Sequence, residues 1–192
     1  MITNIEQLDF SQTYSYADYL KWRFEESVEL IKGKVVRMPP SPSASHQRVS
    51  FNLTIEFGNY LKGRSCKAFA APFDVRLIKR EDDAQVKTVV QPDLCIICDT
   101  AKIDEKGCHG APDLIIEILS PSTSKKDVKD KYDLYQEAGV REYWVVDPTD
   151  KLVDVFILKE GKYALVKKYV SDDMVPVNIL EGFAVDLKEI FE

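Results

Sequence analysis

The chain has 192 residues, of which 45% are apolar and 30% charged, and its formal net charge is −6. This composition is typical of a folded globular protein and excludes disorder, a collagen-like chain and a coiled coil. No apolar run approaches the roughly 20 residues that a transmembrane helix needs, so we expect no contact with a membrane. The acidic balance argues against a protein that coats nucleic acid, but it leaves room for a local basic groove or a metal site.

The start of the chain and its cysteines predict a cytoplasmic protein with reduced thiols. The first residues, MITNIEQLDF, lack the basic start and apolar stretch of a secretion signal, and only four cysteines follow. The spacing Cys95-x-x-Cys98, with Cys108-His109 further on, raises the possibility of zinc. We do not favour it, because residues 95 and 98 have opposite parity in a strand and no second C-x-x-C exists.

The N-terminal third predicts two helices separated by a hairpin. Residues 15–24 have an amphipathic helical pattern, and residues 29–38 predict a β-hairpin that turns at Lys32-Gly33-Lys34. After a segment rich in proline and serine at 39–43, whose serines can cap a helix, residues 45–61 predict a long helix. Its apolar positions recur every three or four residues and share one face: His46, Val49, Leu53, Phe57 and Tyr60.

The remainder of the chain alternates between strands and helices. It predicts strands at 66–78, 88–98 and 114–119, separated by a charged turn at 79–84 and a polar loop at 99–110. A serine-rich cap at 122–124 begins a helix that ends at Gly139. A strand at 142–146, a hairpin over 152–169 and a short helix near 187–191 follow. We predict one α/β domain, 1–192, with a central mixed β-sheet flanked by helices, plus N-terminal and C-terminal β-hairpins.

Two carboxylates lie in the apolar strands of this predicted core. Asp93 follows Pro92 in the second strand, and Glu117 shares a face of the third strand with Ile115 and Leu119, because strand side chains alternate. An unpaired buried charge is costly. Two carboxylates on neighbouring strands also repel each other, and a shared divalent cation is one resolution. An internal ion pair between a carboxylate and a lysine is the other.

The helix after residue 124 supplies such lysines. Val128, Tyr132 and Tyr135 form its apolar stripe, and Lys131 flanks that stripe. Lys131 can therefore reach the sheet, or it can extend along the surface to solvent. The other lysines of this segment are better placed for solvent or a phosphate backbone: Lys125, Lys126 and Lys129.

Three pieces of the sequence resemble a known family. They are ELIKGKVVRMPPSPSASHQRV at 29–49, QPDL at 91–94 and GAPDLIIEILSPSTSKKDVKDKYDLYQEAGVREYWVVDP at 110–148. All three resemble the Uma-two family of restriction-endonuclease-like proteins, a branch of the PD-(D/E)xK nuclease superfamily. The resemblance implies a restriction-endonuclease-like core that hydrolyses DNA phosphodiester bonds with Mg²⁺, for which Mn²⁺ can substitute.

The resemblance also implies roles for individual residues. Asp93 would be the aspartate of the PD element, and Glu117 the acidic residue of the second element, both of them metal ligands. The superfamily places its lysine two residues after this acid, where this chain has Leu119. A migrated lysine, Lys131, would then supply the ammonium group from the following helix. His46 resembles the histidine that some relatives direct at the site.

Further expectations concern the edges of this site. Glu29 and Asp74 are additional candidate metal ligands, although both can instead be structural. Asp113, in a second PD element, is more typical of a cap or turn residue. A homodimer is compatible with cutting two DNA strands. Two alternatives stay open: a nucleic-acid-binding protein that kept the fold and lost turnover, and a structural protein whose acidic cluster is a salt-bridge network.

Overall fold

The computed structural model describes residues 2–38, 42–78, 82–121 and 125–192. Within these ranges the chain forms two six-stranded sheets, one two-stranded sheet and four α-helices. Three predicted features lie wholly or partly outside them: the helix cap at 122–124, the charged turn at 79–84 and the proline segment at 39–43. The side chains of Lys125 and Lys126 are also outside the described part.

The N-terminal elements are a short helix and the predicted hairpin. The Ser15 hydroxyl caps α1 (Tyr16–Tyr19) by accepting a hydrogen bond from the N–H of Asp18. This helix is shorter than the predicted 15–24, because the chain turns after it to pair Trp22 with Ile2 in an isolated β-bridge. β1 (Val28–Ile31) and β2 (Lys34–Arg37) confirm the hairpin.

The long helix α2 (Ala44–Leu61) follows the prediction closely. Ser43 caps it, and its side chain accepts a hydrogen bond from the N–H of His46. The predicted apolar face is the buried one, with His46, Val49, Leu53 and Phe57 all less than a tenth exposed. In the part of the chain that the structure describes, neither this helix nor any other is both long and apolar enough to cross a bilayer.

The predicted strands at 66–78 and 88–98 are each broken in two. The pieces are β3 (Lys67–Ala70), β4 (Val75–Arg76), β5 (Val89–Val90) and β6 (Leu94–Ile97). Each break contains a proline, Pro72 or Pro92, which has no N–H to donate to a sheet ladder. In both cases the two pieces enter different sheets, so prediction of a continuous strand was wrong at these points.

The rest of the chain agrees with the predicted order, apart from two small antiparallel strand pairs: one over 103–109, inside the expected polar loop at 99–110, and one over 174–186, after the predicted C-terminal hairpin. The helix over 125–138 ends before Gly139, whose φ of 85° is the left-handed conformation that favours glycine at a helix end. The elements are β7 (Ile103–Asp104), β8 (Gly107–His109), β9 (Leu114–Ile118), α3 (Lys125–Ala138), β10 (Glu142–Asp147), β11 (Leu152–Lys159), β12 (Lys162–Val170), β13 (Met174–Pro176), β14 (Ala184–Asp186) and α4 (Leu187–Phe191).

The two large sheets share a mixed character. The N-terminal sheet has the strand order β2-β1-β5-β4-β8-β7, with only β4 and β8 parallel. The main sheet has the order β12-β11-β10-β9-β6-β3, with only β9 and β10 parallel. The chain crosses from the main sheet to the N-terminal sheet between β3 and β4, and it crosses back between β5 and β6. These crossings bring both sheets to one place.

Helices cover the two faces of the main sheet, as predicted. Leu114, Ile116 and Ile118 of β9 pack with α2 in one apolar cluster, whereas Ile115 packs with α3 in another. The predicted alternation along β9 is therefore confirmed. It places Glu117 on the face covered by α3, where the apolar cluster also contains buried Tyr135.

The cysteines differ from the prediction. Cys66 and Cys98 form a disulfide between residues just before β3 and just after β6, so the expectation of four reduced thiols is wrong for this pair. These strands are antiparallel neighbours, which brings the two side chains together. Cys95 and Cys108 are free and buried. The disulfide removes Cys98 as a thiolate for the zinc site that we did not favour.

Candidate active site

Asp93 lies in the crossing between β5 and β6, immediately before β6 rather than inside a strand. One carboxylate oxygen, Oδ2, accepts a hydrogen bond of 2.8 Å from the main-chain N–H of Ile118. Its carbonyl accepts a further bond of 3.1 Å from the N–H of Ala71. Asp93 is thus fixed beside the end of β9, next to the residue that follows Glu117.

His46 reaches Asp93 from the first turn of α2. Its Nε2 lies 3.3 Å from Oδ1 of Asp93, and the imidazole is 9% exposed. The hydrogen bond with Asp93 raises the pKa of His46, and the nearby Ile118 carbonyl adds to this, outweighing the opposite effect of burial. The other ring nitrogen, Nδ1, is buried and has no hydrogen-bond partner among the described residues. The structure therefore brings the predicted His46 and Asp93 together.

Glu117 is the most perturbed carboxylate of the site. Burial raises its pKa to about 7, and the negative charges of Asp93 and Glu29 act in the same direction. The ammonium of Lys131 and the hydroxyl of Tyr135, which donates to Oε1 of Glu117, oppose that rise. A carboxylate whose pKa is raised in this way by burial and by neighbouring negative charges is typical of a functional site.

Lys131 joins two of the predicted acids. Its ammonium donates to Oε1 of Glu117 at 3.0 Å and to Oε1 of Glu29 at 2.7 Å. Burial alone lowers the pKa of Lys131, but the two carboxylates outweigh it, and the pKa is above its ordinary value. Lys131 is consequently a protonated side chain that two carboxylates fix in position. Glu29, buried on β1, is the residue that holds it from the N-terminal sheet.

Asp74 lies apart from this group of charges. It accepts hydrogen bonds from the hydroxyls of Tyr16 and Tyr19, at 3.3 and 3.2 Å, and from the side-chain amide of Gln91 at 2.8 Å. Across the described ranges, no three or more His, Cys, Asp or Glu side chains are arranged to hold one metal ion. The structure therefore does not support Glu29 and Asp74 as ligands of the same ion as Asp93 and Glu117.

Two residues of this neighbourhood were not singled out from the sequence. Tyr135 was assigned only to the apolar stripe of its helix, yet its hydroxyl contacts Glu117. Gln91 carried no separate signal beyond its place in QPDL, yet it contacts both Glu29 and Asp74. Leu119, at the position of the superfamily's lysine, packs partly buried in the α3-side cluster. The ammonium beside Glu117 comes instead from Lys131.

Comparisons with known proteins identify the family and the fold of the chain. The chain is 26% identical over 174 residues to "Uncharacterized protein slr1290" of Synechocystis sp., covering 88% of each chain. A crystal structure from Anabaena variabilis, described as "a putative nuclease belonging to DUF820", has the same fold, with a TM-score of 0.71 at 22% identity. That match covers 92% of this chain and 97% of the other. Residues 16–188 match the family Uma2, described as "Putative restriction endonuclease", and the chain therefore belongs to the Uma2 family.

Proposed function

We propose that the chain is a metal-dependent endonuclease that hydrolyses phosphodiester bonds of DNA. The observation that carries the proposal is the environment of Glu117: its carboxylate is 17% exposed, the ammonium of Lys131 lies 3.0 Å from it, and Asp93 is bonded to the N–H of the next residue, Ile118. Membership of a family of nuclease-like proteins supports the same reaction class. A homodimer, which would cut two strands with two sites, stays a prediction.

The donor set fits a hard divalent ion with few protein ligands. Asp93 and Glu117 supply carboxylate oxygens from neighbouring segments, because Oδ2 of Asp93 accepts a hydrogen bond of 2.8 Å from the N–H of Ile118, the residue that follows Glu117. Mg²⁺ is commonly held by one or two carboxylates and completes its shell with water, whereas a soft site would need thiolates. We therefore assign Asp93 and Glu117 as ligands of Mg²⁺, or of Mn²⁺ as its substitute. When bound, such an ion supplies Lewis-acid activation of the phosphodiester.

The chain's own residues supply orientation and positive charge. Lys131, held by Glu29 and Glu117, presents a fixed ammonium to the negative charge that a phosphate gains in the transition state. Two carboxylates in contact with it keep it protonated, so we assign it as a cation rather than a base. His46 orients Asp93 through Nε2. Residues positioned in this way lower the barrier because they need no rearrangement during the reaction.

Cleavage of supercoiled plasmid with Mg²⁺ or Mn²⁺ tests the proposal directly. We expect nicking by the wild type and its loss by at least about 100-fold in Glu117→Ala, because one of the two ligands is removed. Exposed Glu105→Ala is the matched control and retains full activity. Equal nicking by wild type and Glu117→Ala would place the reaction elsewhere.

Metal binding is measured separately by calorimetric titration with Mn²⁺. The binding heat should disappear in Asp93→Ala and in Glu117→Ala, and persist in Glu105→Ala. Mn²⁺ binding without nicking would favour a nucleic-acid-binding protein that lost turnover. The reason to consider this alternative is Leu119, which stands where the superfamily has its lysine. A protein that neither binds Mn²⁺ nor nicks plasmid would favour the third interpretation, in which the salt-bridge network is purely structural.

A further inference from the structure

Gln91 is tied to two different parts of the molecule. Its main-chain N–H donates to Oε1 of Glu29 at 2.9 Å. Its side-chain amide donates to Oδ1 of Asp74 at 2.8 Å and to the Tyr19 hydroxyl at 3.2 Å. Only Pro92 separates Gln91 from Asp93. One residue thus connects the acid that holds Lys131, the acid of the candidate metal site and a polar cluster in the N-terminal part.

Asp74, the acceptor in this cluster, is held firmly from several sides. Tyr16 and Tyr19 of α1 both donate to it, and their rings stack with centroids 5.6 Å apart. Burial raises the pKa of both tyrosines, so their hydroxyls stay donors. The main chain of Asp74 is equally confined: its carbonyl accepts from the N–H of Cys108, and a Cβ on Gly107 would lie 2.1 Å from that oxygen.

A fixed acceptor at Asp74 gives Gln91 a function for its side chain. The segment from 91 to 93 crosses from one sheet to the other and makes no ladder pairs of its own. Pro92 has no N–H to donate, so the side-chain amide of Gln91, bonded to Asp74, is a main anchor of this segment. Asp93 sits at its end, and the position of Asp93 decides whether Oδ2 meets the N–H of Ile118.

We propose that Gln91 and Asp74 are a positioning pair for the candidate active site. The pair fixes the crossing segment, which sets Asp93 against Ile118 and Glu29 against Lys131. Neither residue touches substrate or metal; both act through Asp93 and Glu29. The consequence for catalysis rests on the proposed function, whereas the positioning of Asp93 is measurable without it. Asp74 thereby has a role other than that of a metal ligand.

An exchange of the two functional groups tests the pair. Gln91→Glu places a second carboxylate against Asp74, which replaces an attraction with a repulsion. The double variant Asp74→Asn/Gln91→Glu again sets one amide donor against one carboxylate acceptor, with the roles reversed. Exposed Gln85→Glu carries the same charge change and serves as the control. Gln91→Leu, which removes the amide donor at similar volume, is a second probe, and Asp74→Asn alone, which keeps a carbonyl oxygen for that amide, completes the cycle.

The readout is amide hydrogen exchange at Ile118 in the metal-free protein, with Ile116 of the same strand reporting global opening. We expect Gln91→Glu and Gln91→Leu to speed exchange at Ile118 by about tenfold with little change at Ile116, because only the bond to Asp93 loosens. Plasmid nicking should fall by roughly 10- to 100-fold in Gln91→Glu, mainly in kcat, as expected for a misplaced ligand. The double variant should restore both values to within about threefold of wild type, because cycles of this kind isolate the pair's coupling.

The outcomes separate this proposal from the proposed function. Unchanged exchange at Ile118 in both Gln91→Glu and Gln91→Leu would overturn the positioning pair, as would a double variant as impaired as Gln91→Glu. A wild type that cuts no plasmid, with Ile118 exchange following the expected pattern, would overturn the nuclease function and leave the positioning of Asp93 supported. An effect of Gln85→Glu as large as that of Gln91→Glu would reduce the result to net charge and overturn the pair.

Discussion

The tripeptide Pro-Asp-Leu occurs twice in this chain, once before β6 and once before β9, and the two copies have the same backbone role. β6 and β9 are antiparallel neighbours. Asp93 accepts a hydrogen bond of 2.8 Å from the N–H of Ile118, at the end of β9. Asp113 accepts one of the same length from the N–H of Cys98, just after β6. The strand pair is therefore tied at both ends by equivalent aspartates.

The surroundings of the two aspartates differ. The second oxygen of Asp93 faces His46, whose side chain is 9% exposed. The second oxygen of Asp113 accepts from Arg141 at 3.0 Å, and that side chain is 64% exposed. Glu117 contributes its charge only at the Asp93 end, where α2 and α3 cover the sheet. The aspartate of each Pro-Asp pair links the two strands through one hydrogen bond, which we call a strand tie. Only the tie at Asp93 also has buried neighbours from the helices, and these make it a candidate site.

The same substitution at both aspartates gives the largest contrast. Asp93→Asn should reduce plasmid nicking by about 100- to 1000-fold, because the amide is a poor metal ligand and leaves Glu117 without its partner. Asp113→Asn keeps a carbonyl oxygen for the N–H of Cys98 and loses only part of an exposed ion pair. Its nicking rate should stay within about threefold of wild type. Comparable losses in both variants would mean that Asp93, too, is only a strand tie.

Much of this architecture could be predicted from residue patterns. The spacing along α2 and the alternation along β9 identify buried faces, since both follow from the geometry of one element. The breaks at Pro72 and Pro92 were missed because the residues around them stay apolar, even though a proline argues against a central strand. The crossing of strands between two sheets depends on pairings between distant segments, which no local pattern contains.

The candidate site was predicted in its parts but not in its connections. Asp93, Glu117 and Lys131 were identified as a group from the resemblance, and the structure places them together. The bond between Lys131 and Glu29 joins residues 102 positions apart, which no periodicity can indicate. The structural place of Gln91 was missed for the same reason, because its partners lie on other strands and its chemistry is that of an ordinary polar residue.

Removing the ammonium of Lys131 tests how much its ion pairs with Glu29 and Glu117 contribute to stability. Lys131→Met keeps most of the side-chain volume but leaves Glu29 and Glu117 facing each other. The free energy of unfolding should fall by about 3–5 kcal/mol at neutral pH, as for other buried pairs that lose one partner. Urea denaturation measures this, with exposed Lys129→Met as the matched control. A loss no larger than that of the control would show that the repulsion is relieved, either by a proton taken up on Glu117 or by solvent.

The disulfide belongs to the other end of the strand pair. Cys98 is the residue whose N–H donates to Asp113, and its bond to Cys66 closes a loop with a sequence separation of 32. Reduction should lower the free energy of unfolding by about 2–4 kcal/mol through the entropy of the unfolded chain. Nicking at a temperature where the protein stays folded should not change. Urea denaturation and plasmid assays with and without reductant measure both, and a loss of nicking on reduction would show that the two ends are coupled.

The smallest expected difference concerns the side chains that face the second oxygen of each aspartate. His46→Gln removes a buried imidazole from Asp93 and should cost about 1–2 kcal/mol, because the carboxylate oxygen loses a partner inside the protein. Arg141→Gln removes an exposed guanidinium from Asp113 and should cost less than about 1 kcal/mol, since water replaces it. Nicking should fall in His46→Gln alone, because only Asp93 has a ligand role to lose. If the two variants are equally stable and equally active, the depth of burial around Asp93 does not distinguish it from Asp113, and the difference between a strand tie and a site must lie in Glu117 and Lys131 alone.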